Sequence, residues 1–344
     1  MKILYAVQAT GNGHISRAME LLPHLNNYGT VDLFLSGANS TLALDAPIKY
    51  RSKGLSLFYT CNGKLNFPKM LPYISPARIW REVRELPVEK YDLILNDFEC
   101  ITALACAHKK IPSVNFGHQA SFMSAKTPRP EKQSRMGEWI LKNYARAQEY
   151  VGLHFDSYDD FILSPVIKSQ IRQAEPTNNG YITVYLPSYC DAVLEKYFLP
   201  LKEGRFQIFS HEKKQIEQKE NICFIPVNKE YFNQSLIHCM GIITGGGFET
   251  PAEALYLKKK MICIPIRGQY EQQCNGAALK KLGVTVLDKL DDDFKNHFDR
   301  WIRQPEPPNV HFKHDTDSIV HTVMMRSPQL GKHLHIPYPE LIFN

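Results

Sequence analysis

The chain predicts an α/β protein built from two doubly wound, Rossmann-like domains facing a central cleft, and three observations predict it. Its 344 residues exceed one ordinary core, and a length prior gives about two domains of roughly 150 residues. Apolar, β-branched or aromatic runs alternate with amphipathic helical patterns, as in parallel sheets with crossover helices. That alternation then restarts midway along the chain.

In the first half, strands are expected near Lys2 to Gln8, Val31 to Ser36, Leu55 to Tyr59, Tyr91 to Asn96 and Pro112 to Phe116, with helices in most gaps. The stretch from Ser164-Pro165 to Asn179-Gly180 is rich in turn residues and lacks apolar periodicity, so it reads as a linker. Strands are expected again near Tyr181 to Leu186, Arg205 to Ser210, Asn221 to Val227, Gly241 to Thr244 and Met261 to Ile266. The resulting division is a first domain over 1–163, a linker over 164–180 and a second domain over 181–314. Residues 315–344 form a terminal helix and tail that could pack back on the first domain. Open α/β sheets bind ligands beyond the carboxyl ends of their strands, which places the active site between the two domains.

Composition narrows the class. The net charge of +6 chooses among no partners, and no basic stripe asks for nucleic acid. Met1 to Gln8 lacks a signal-peptide pattern and no apolar run approaches the ~20 residues that span a bilayer, so a cytoplasmic location is expected. The eight cysteines are scattered without a C-x-x-C pair and read as reduced core thiols.

Two glycine loops carry the chemistry. Gly245, Gly246 and Gly247 follow an apolar strand and precede a helical pattern, so unpaired N–H groups and the positive helix end could receive a diphosphate. No P-loop lysine follows them, and Glu253, placed two turns into that helix, is suited to accept hydrogen bonds from ribose hydroxyls. After the first strand, Gly11-Asn12-Gly13-His14 leads into a helix expected at about Ser16. This is a poor dinucleotide fingerprint, because the third glycine is missing and no acidic residue ends the second strand. The loop instead suits a histidine base at the cleft, His14, with Asp97 as orienting carboxylate and Glu99 as second choice. Asp291-Asp292-Asp293 reads as charge at a helix start rather than a metal site, and no D-x-D motif is evident.

With both loops in view, the chain resembles the inverting GT-B glycosyltransferases, especially the branch containing the lipid II N-acetylglucosaminyltransferase and its uncharacterised relatives. The resemblance rests on Gly11, Gly13, His14 and Arg17, on Asp97, on the block from Gly245 to Glu253, and on Gln269 to Asn275. It implies that Thr250 joins the glycine backbone on the diphosphate, that Glu271, Gln272 or Gln273 binds sugar hydroxyls, and that Asn275 belongs to the segment closing on the donor. A polar, solvated helix start is the plainer reading of that last segment. His118, after the fifth strand, is expected to face the cleft and touch the acceptor, with a simple loop histidine as the alternative. The nucleobase is expected against Phe209-Ser210 or Ile225-Pro226-Val227.

The expected activity is inverting transfer of a sugar from a nucleotide-diphospho-sugar, UDP-sugar favoured, to an acceptor hydroxyl, with no metal and no other cofactor. The acceptor is open: a glycan and a lipid-linked molecule both fit, the latter with peripheral contact at the inner membrane face. Alternatives are a nucleotide-sugar hydrolase or epimerase using the same cleft, and a non-catalytic nucleotide-sugar binding protein.

Overall fold

A computed structural model of the chain describes residues 1–9, 11–37, 46–54, 75–303 and 307–327. The first half runs β1 (Lys2–Gln8), α1 (Asn12–Asn26), β2 (Thr30–Ser36), β3 (Ile48–Ser52), α2 (Pro76–Glu85), β4 (Leu93–Asp97), α3 (Cys100–Lys109), β5 (Val114–Gly117), α4 (Arg135–Asn143), β6 (Glu149–Leu153) and β7 (Ile162–Leu163). These strands form one parallel sheet in the order β3-β2-β1-β4-β5-β6-β7. A short helix, α5 (Ser169–Arg172), lies in the connecting segment.

The second half runs β8 (Ile182–Tyr185), α6 (Asp191–Phe198), β9 (Phe206–Ser210), β10 (Glu217–Lys219), β11 (Ile222–Pro226), α7 (Lys229–His238), β12 (Gly241–Thr244), α8 (Glu249–Tyr256), β13 (Lys260–Cys263), α9 (Tyr270–Lys281), β14 (Thr285–Val286), α10 (Phe294–Ile302) and α11 (Thr316–Met325). Its order is β10-β11-β9-β8-β12-β13-β14, parallel except where β10 pairs antiparallel with β11. In both sheets the strand order reverses beside the first strand, β1 or β8, which is where a doubly wound sheet opens a crevice.

The local causes are simple. Alternate residues of β1 serve opposite faces, with Ile3, Tyr5 and Val7 in one core and Leu4 and Ala6 in another, so a fully buried parallel strand reads as one apolar run. Helix α1 turns Ile15, Ala18, Leu21 and Leu25 onto the first of these cores. Ile319, Val320, Val323 and Met324 of α11 enter the same core, so the late helix packs on the first sheet's side of the molecule. Burying each of those side chains contributes on the order of 1.5–3 kcal/mol.

Two expectations need correction, and a third lies outside the described residues. Helix α1 begins at Asn12, not near Ser16, because Gly11 in extended backbone serves as its N-cap and lets the turn start at once. The strand foreseen at Leu55 to Tyr59 lies outside the described residues. Cys190 is disulfide-bonded, whereas Cys100, Cys106, Cys223, Cys239, Cys263 and Cys274 are free. Cys190 differs from the five buried thiols in standing part-exposed at the N-cap of α6 rather than inside an element.

Candidate active site

The early start of α1 puts His14 and Arg17 one turn apart on the face that meets the carboxyl end of β4. There Asp97 is fully buried. Its Oδ1 accepts from His14 Nδ1 at 2.9 Å and from Arg17 Nη2 at 2.7 Å, and its Oδ2 accepts from Arg17 Nε at 3.1 Å. Arg17 Nη2 also lies 2.9 Å from His14 Nδ1, but a carboxylate only accepts, so a proton on Nδ1 answers Asp97 and leaves the neutral ring's lone pair on Nε2. Burial pulls the His14 pKa down, but the charge and hydrogen bond of Asp97 outweigh it and the ring titrates above its ordinary value. Burial pushes Asp97 the other way, and Arg17 with His14 brings it down to about 2.

Backbone detail builds this corner. Phe98 adopts a left-handed φ of 54°, turning the chain sharply between Asp97 and the cap of α3. Gly117 has φ of 142°, and a Cβ there would lie 2.8 Å from Asp97 Oδ1 and 3.3 Å from Arg17 Nη2. Glu99 is not an orienting partner for His14. Its carboxylate caps α3, accepting from the backbone of Ile101 at 2.9 Å and Thr102 at 2.6 Å.

The opposite wall is the loop after β12. Glu249, first residue of α8, pairs through Oε1 with Arg17 Nη1, joining the two halves. Gly13 faces the same carboxylate, and a Cβ on it would come 2.9 Å from Glu249 Cδ. Asn12 hydrogen-bonds the Tyr185 hydroxyl at the end of β8. Glu249 was quoted in the sequence motif without a role; its signal was its place in the first helical turn after the glycines.

The glycine backbone is less free than its composition suggests. Gly245 N–H donates to Tyr185 O at 3.3 Å and Gly246 N–H to Gln272 Oε1 at 3.1 Å. Gly247 stands part-exposed with nothing within 4 Å of a Cβ position, and Thr250 is part-exposed beside it. Gln272 also accepts from Ile266 N at 2.9 Å, so its oxygen braces two loops and is not offered to a ligand. Glu271 accepts from Gln119 Nε2 at 3.0 Å, and Gln273 is half-buried on the same helix.

Glu253 is the fifth residue of α8, little more than one turn in, because the helix starts at Glu249. It is 2% exposed, and Lys168 from the connecting segment donates to its Oε2 at 3.0 Å. Burial raises its pKa and Lys168 works against that rise. Lys168 was invisible to sequence reasoning, since a lysine in a turn-rich linker gives no hint of a buried partner.

His118 does not face the open cleft. It is 1% exposed, its ring lies parallel to Phe248 at 3.9 Å between centroids, and Asn275 Oδ1 sits 2.7 Å from its Nε2. Asn275 is fully buried and donates through Nδ2 to Gly246 O at 2.9 Å. Neither residue has an end to offer a substrate. The two strand ends foreseen for the base are adjacent, Ser210 pairing with Pro226. A cavity of about 190 Å³ opens beside them, lined by Pro187, Asp191, Phe209, Ser210 and His211 among others, with Ser210 Oγ donating to Asp191 at 2.8 Å.

Among the described residues, no group of three or more His, Cys, Asp or Glu side chains is arranged to hold a metal ion, and no helix is long and apolar enough to cross a membrane.

Comparisons place this architecture. The spinosyn forosaminyltransferase SpnP is 12% identical, with 96% of each chain covered and a TM-score of 0.56. Arabidopsis thaliana UGT89C1 complexed with UDP is 13% identical over 94% of this chain and 98% of that one, with a TM-score of 0.60. MurG from Acinetobacter baumannii is 14% identical over 94% and 98%, with a TM-score of 0.51. At these identities the likeness shows the fold, which is that of the GT-B glycosyltransferases. No curated protein matches the sequence. The sequence profile of Glycosyl transferase family 1 matches residues 1–303, most of the chain, and the protein therefore belongs to that family of glycosyltransferases.

Proposed function

We propose that the protein transfers a sugar from a nucleotide-diphospho-sugar, UDP-sugar favoured, to an acceptor hydroxyl with inversion and without a metal. The observation that carries this reading is the His14–Asp97 pair, a half-buried imidazole backed by a buried carboxylate and standing across from the start of α8. Asp97 fixes the tautomer, so Nε2 takes the proton of the attacking hydroxyl as the bond to the anomeric carbon forms and the bond to the diphosphate breaks. The leaving diphosphate is received by the Gly247 N–H, the first amides of α8 and the Thr250 hydroxyl, which is why no metal is required.

On this reading Glu253 binds the ribose, and Lys168 acts as its counter-charge until the nucleotide arrives. Glu271 and Gln273 supply sugar contacts, while Gln272 holds the loop. The base fits the cavity beside Ser210. The acceptor is a glycan or lipid-linked hydroxyl, and the latter brings peripheral contact with the inner face of a membrane.

The test is thermal unfolding of the wild type and Glu253→Ala against UDP, GDP, dTDP, CMP and their common sugar conjugates. At ~100 times its Kd the right nucleotide adds about 2.7 kcal/mol, and the variant loses that response. Product analysis by anomeric NMR, with and without a chelator, then decides stereochemistry and metal dependence. Release of free sugar in place of a glycoside would identify a hydrolase, and nucleotide binding unaccompanied by turnover a sensor.

A further inference from the structure

We infer that Asn275, with His118 behind it, is a positioning pair that transmits the fit between the two halves to the Gly246 peptide of the donor loop. The inference rests on the donor reading of that loop. Three contacts in series make the connection. Leu153 O, at the end of β6 in the first sheet, lies 3.0 Å from His118 Nδ1. His118 Nε2 lies 2.7 Å from Asn275 Oδ1 on α9, and Asn275 Nδ2 lies 2.9 Å from Gly246 O. Gln272, one turn earlier on the same helix, accepts from Gly246 N–H. Both backbone polar groups of Gly246 are thus held by α9, and a Cβ on Gly246 would come 2.7 Å from Gln272 O, so the loop has no slack.

The series contains a choice. Leu153 O and Gly246 O are carbonyls that only accept, so each needs a donor facing it. Asn275 has one amino group and two claimants for it. With both ring nitrogens of His118 protonated, the ring donates to Leu153 O and to Asn275 Oδ1, and Asn275 gives its amino group to Gly246 O. In a neutral ring with its proton on Nε2, the Asn275 arrangement stands and Leu153 O loses its donor. With the proton on Nδ1, Nε2 becomes an acceptor, the amide turns its amino group toward the ring and Gly246 O loses its donor, and this second form is the one inferred for the neutral ring. The charged and titratable groups facing His118 are Glu271 of α9, whose Oε1 is 3.9 Å from Nε2, Glu249 of α8, and His154 after β6 with ring centroids 4.9 Å apart. Burial holds His118 below its ordinary pKa.

Variants separate this from plain packing. Glutamine reaches the position of the far ring nitrogen and asparagine that of the near one. His118→Gln therefore keeps a donor for Asn275 at every pH, whereas His118→Asn keeps only the Leu153 contact. The readout is hydrogen exchange of the backbone over residues 244–250 in the ligand-free full chain, corrected for intrinsic rates, from pH 5 to 8. In the wild type, protection falls about fivefold as pH rises, the factor expected for one neutral hydrogen bond. His118→Gln is protected throughout, and His118→Asn and Asn275→Ala are unprotected throughout. Like behaviour of the glutamine and asparagine variants, or wild-type protection that ignores pH, would overturn the inference. The measurement needs no donor, so a wild type that binds no nucleotide fails the proposed function separately and leaves the exchange pattern to judge the pair. Where nucleotide does bind, its affinity follows the same order among the variants.

Discussion

Two histidines stand at strand ends of the same sheet, each after a glycine, and the structure gives them opposite environments. His14 keeps 15% of its side chain exposed and leans on a buried carboxylate, while His118 is 1% exposed, stacked on Phe248 and surrounded by amides and carbonyls. The first corner is tied to the second half by charge, Arg17 bridging Asp97 and Glu249. The second is tied by aromatic contact and by hydrogen bonds through Asn275. What differs is the partner supplied from elsewhere in the chain, and it decides which ring holds its proton more tightly and which can meet a substrate.

The contrast breaks most severely at Arg17. Arg17→Met leaves buried Asp97 with His14 as its remaining partner and strips Glu249 of Arg17, with an expected loss of roughly 3–5 kcal/mol in urea unfolding. No change at His118 should approach that. At His14 the loss should fall on rate instead: His14→Ala is expected to slow transfer by roughly a hundredfold or more with the urea midpoint little moved, measured as kcat once donor and acceptor are in hand. An unchanged kcat would assign His14 to structure, like His118.

Gly117 lies where the two corners meet, one residue before His118 and against Asp97. Gly117→Ala combines a disfavoured φ with a collision on Asp97 and should cost about 1–3 kcal/mol, again by urea unfolding. The smallest effect is the most pointed. The raised pKa of His14 means its ion pair stabilises fully below the ordinary histidine value and fades as pH rises through the folded value. The lowered pKa of His118 means the unfolded chain binds that proton more tightly, so stability declines as pH falls below the ordinary value. Unfolding midpoints from pH 5 to 9 should therefore lose their alkaline decline in His14→Gln and part of their acid decline in His118→Gln. Identical profiles for both variants would erase the distinction.

Much of this was legible in the chain. Strands such as Lys2–Gln8 and Gly241–Thr244 announce themselves because both faces are buried, and His14 with Asp97 follow from glycine and strand-end placement. The sequence hid β6, which opens with a glutamate and carries a glycine, and β10, whose three residues are all polar and exposed. It also misassigned His118 and Asn275. A polar residue near a glycine loop reads the same whether it faces a substrate or another residue from 157 positions away, and only the packing of the halves distinguishes them. Lys168 and Glu253, 85 positions apart, were unreadable as a pair for the same reason.

The last described helix has a bearing on how the protein is made. Ile319, Val320, Val323 and Met324 share a core with residues of β1 and α1, which leave the ribosome about 300 residues earlier. Translation proceeds at about 5–20 residues per second, so an apolar strip near the start of the chain waits uncovered for tens of seconds until α11 emerges. That core of the first half is therefore completed only once α11 has been made.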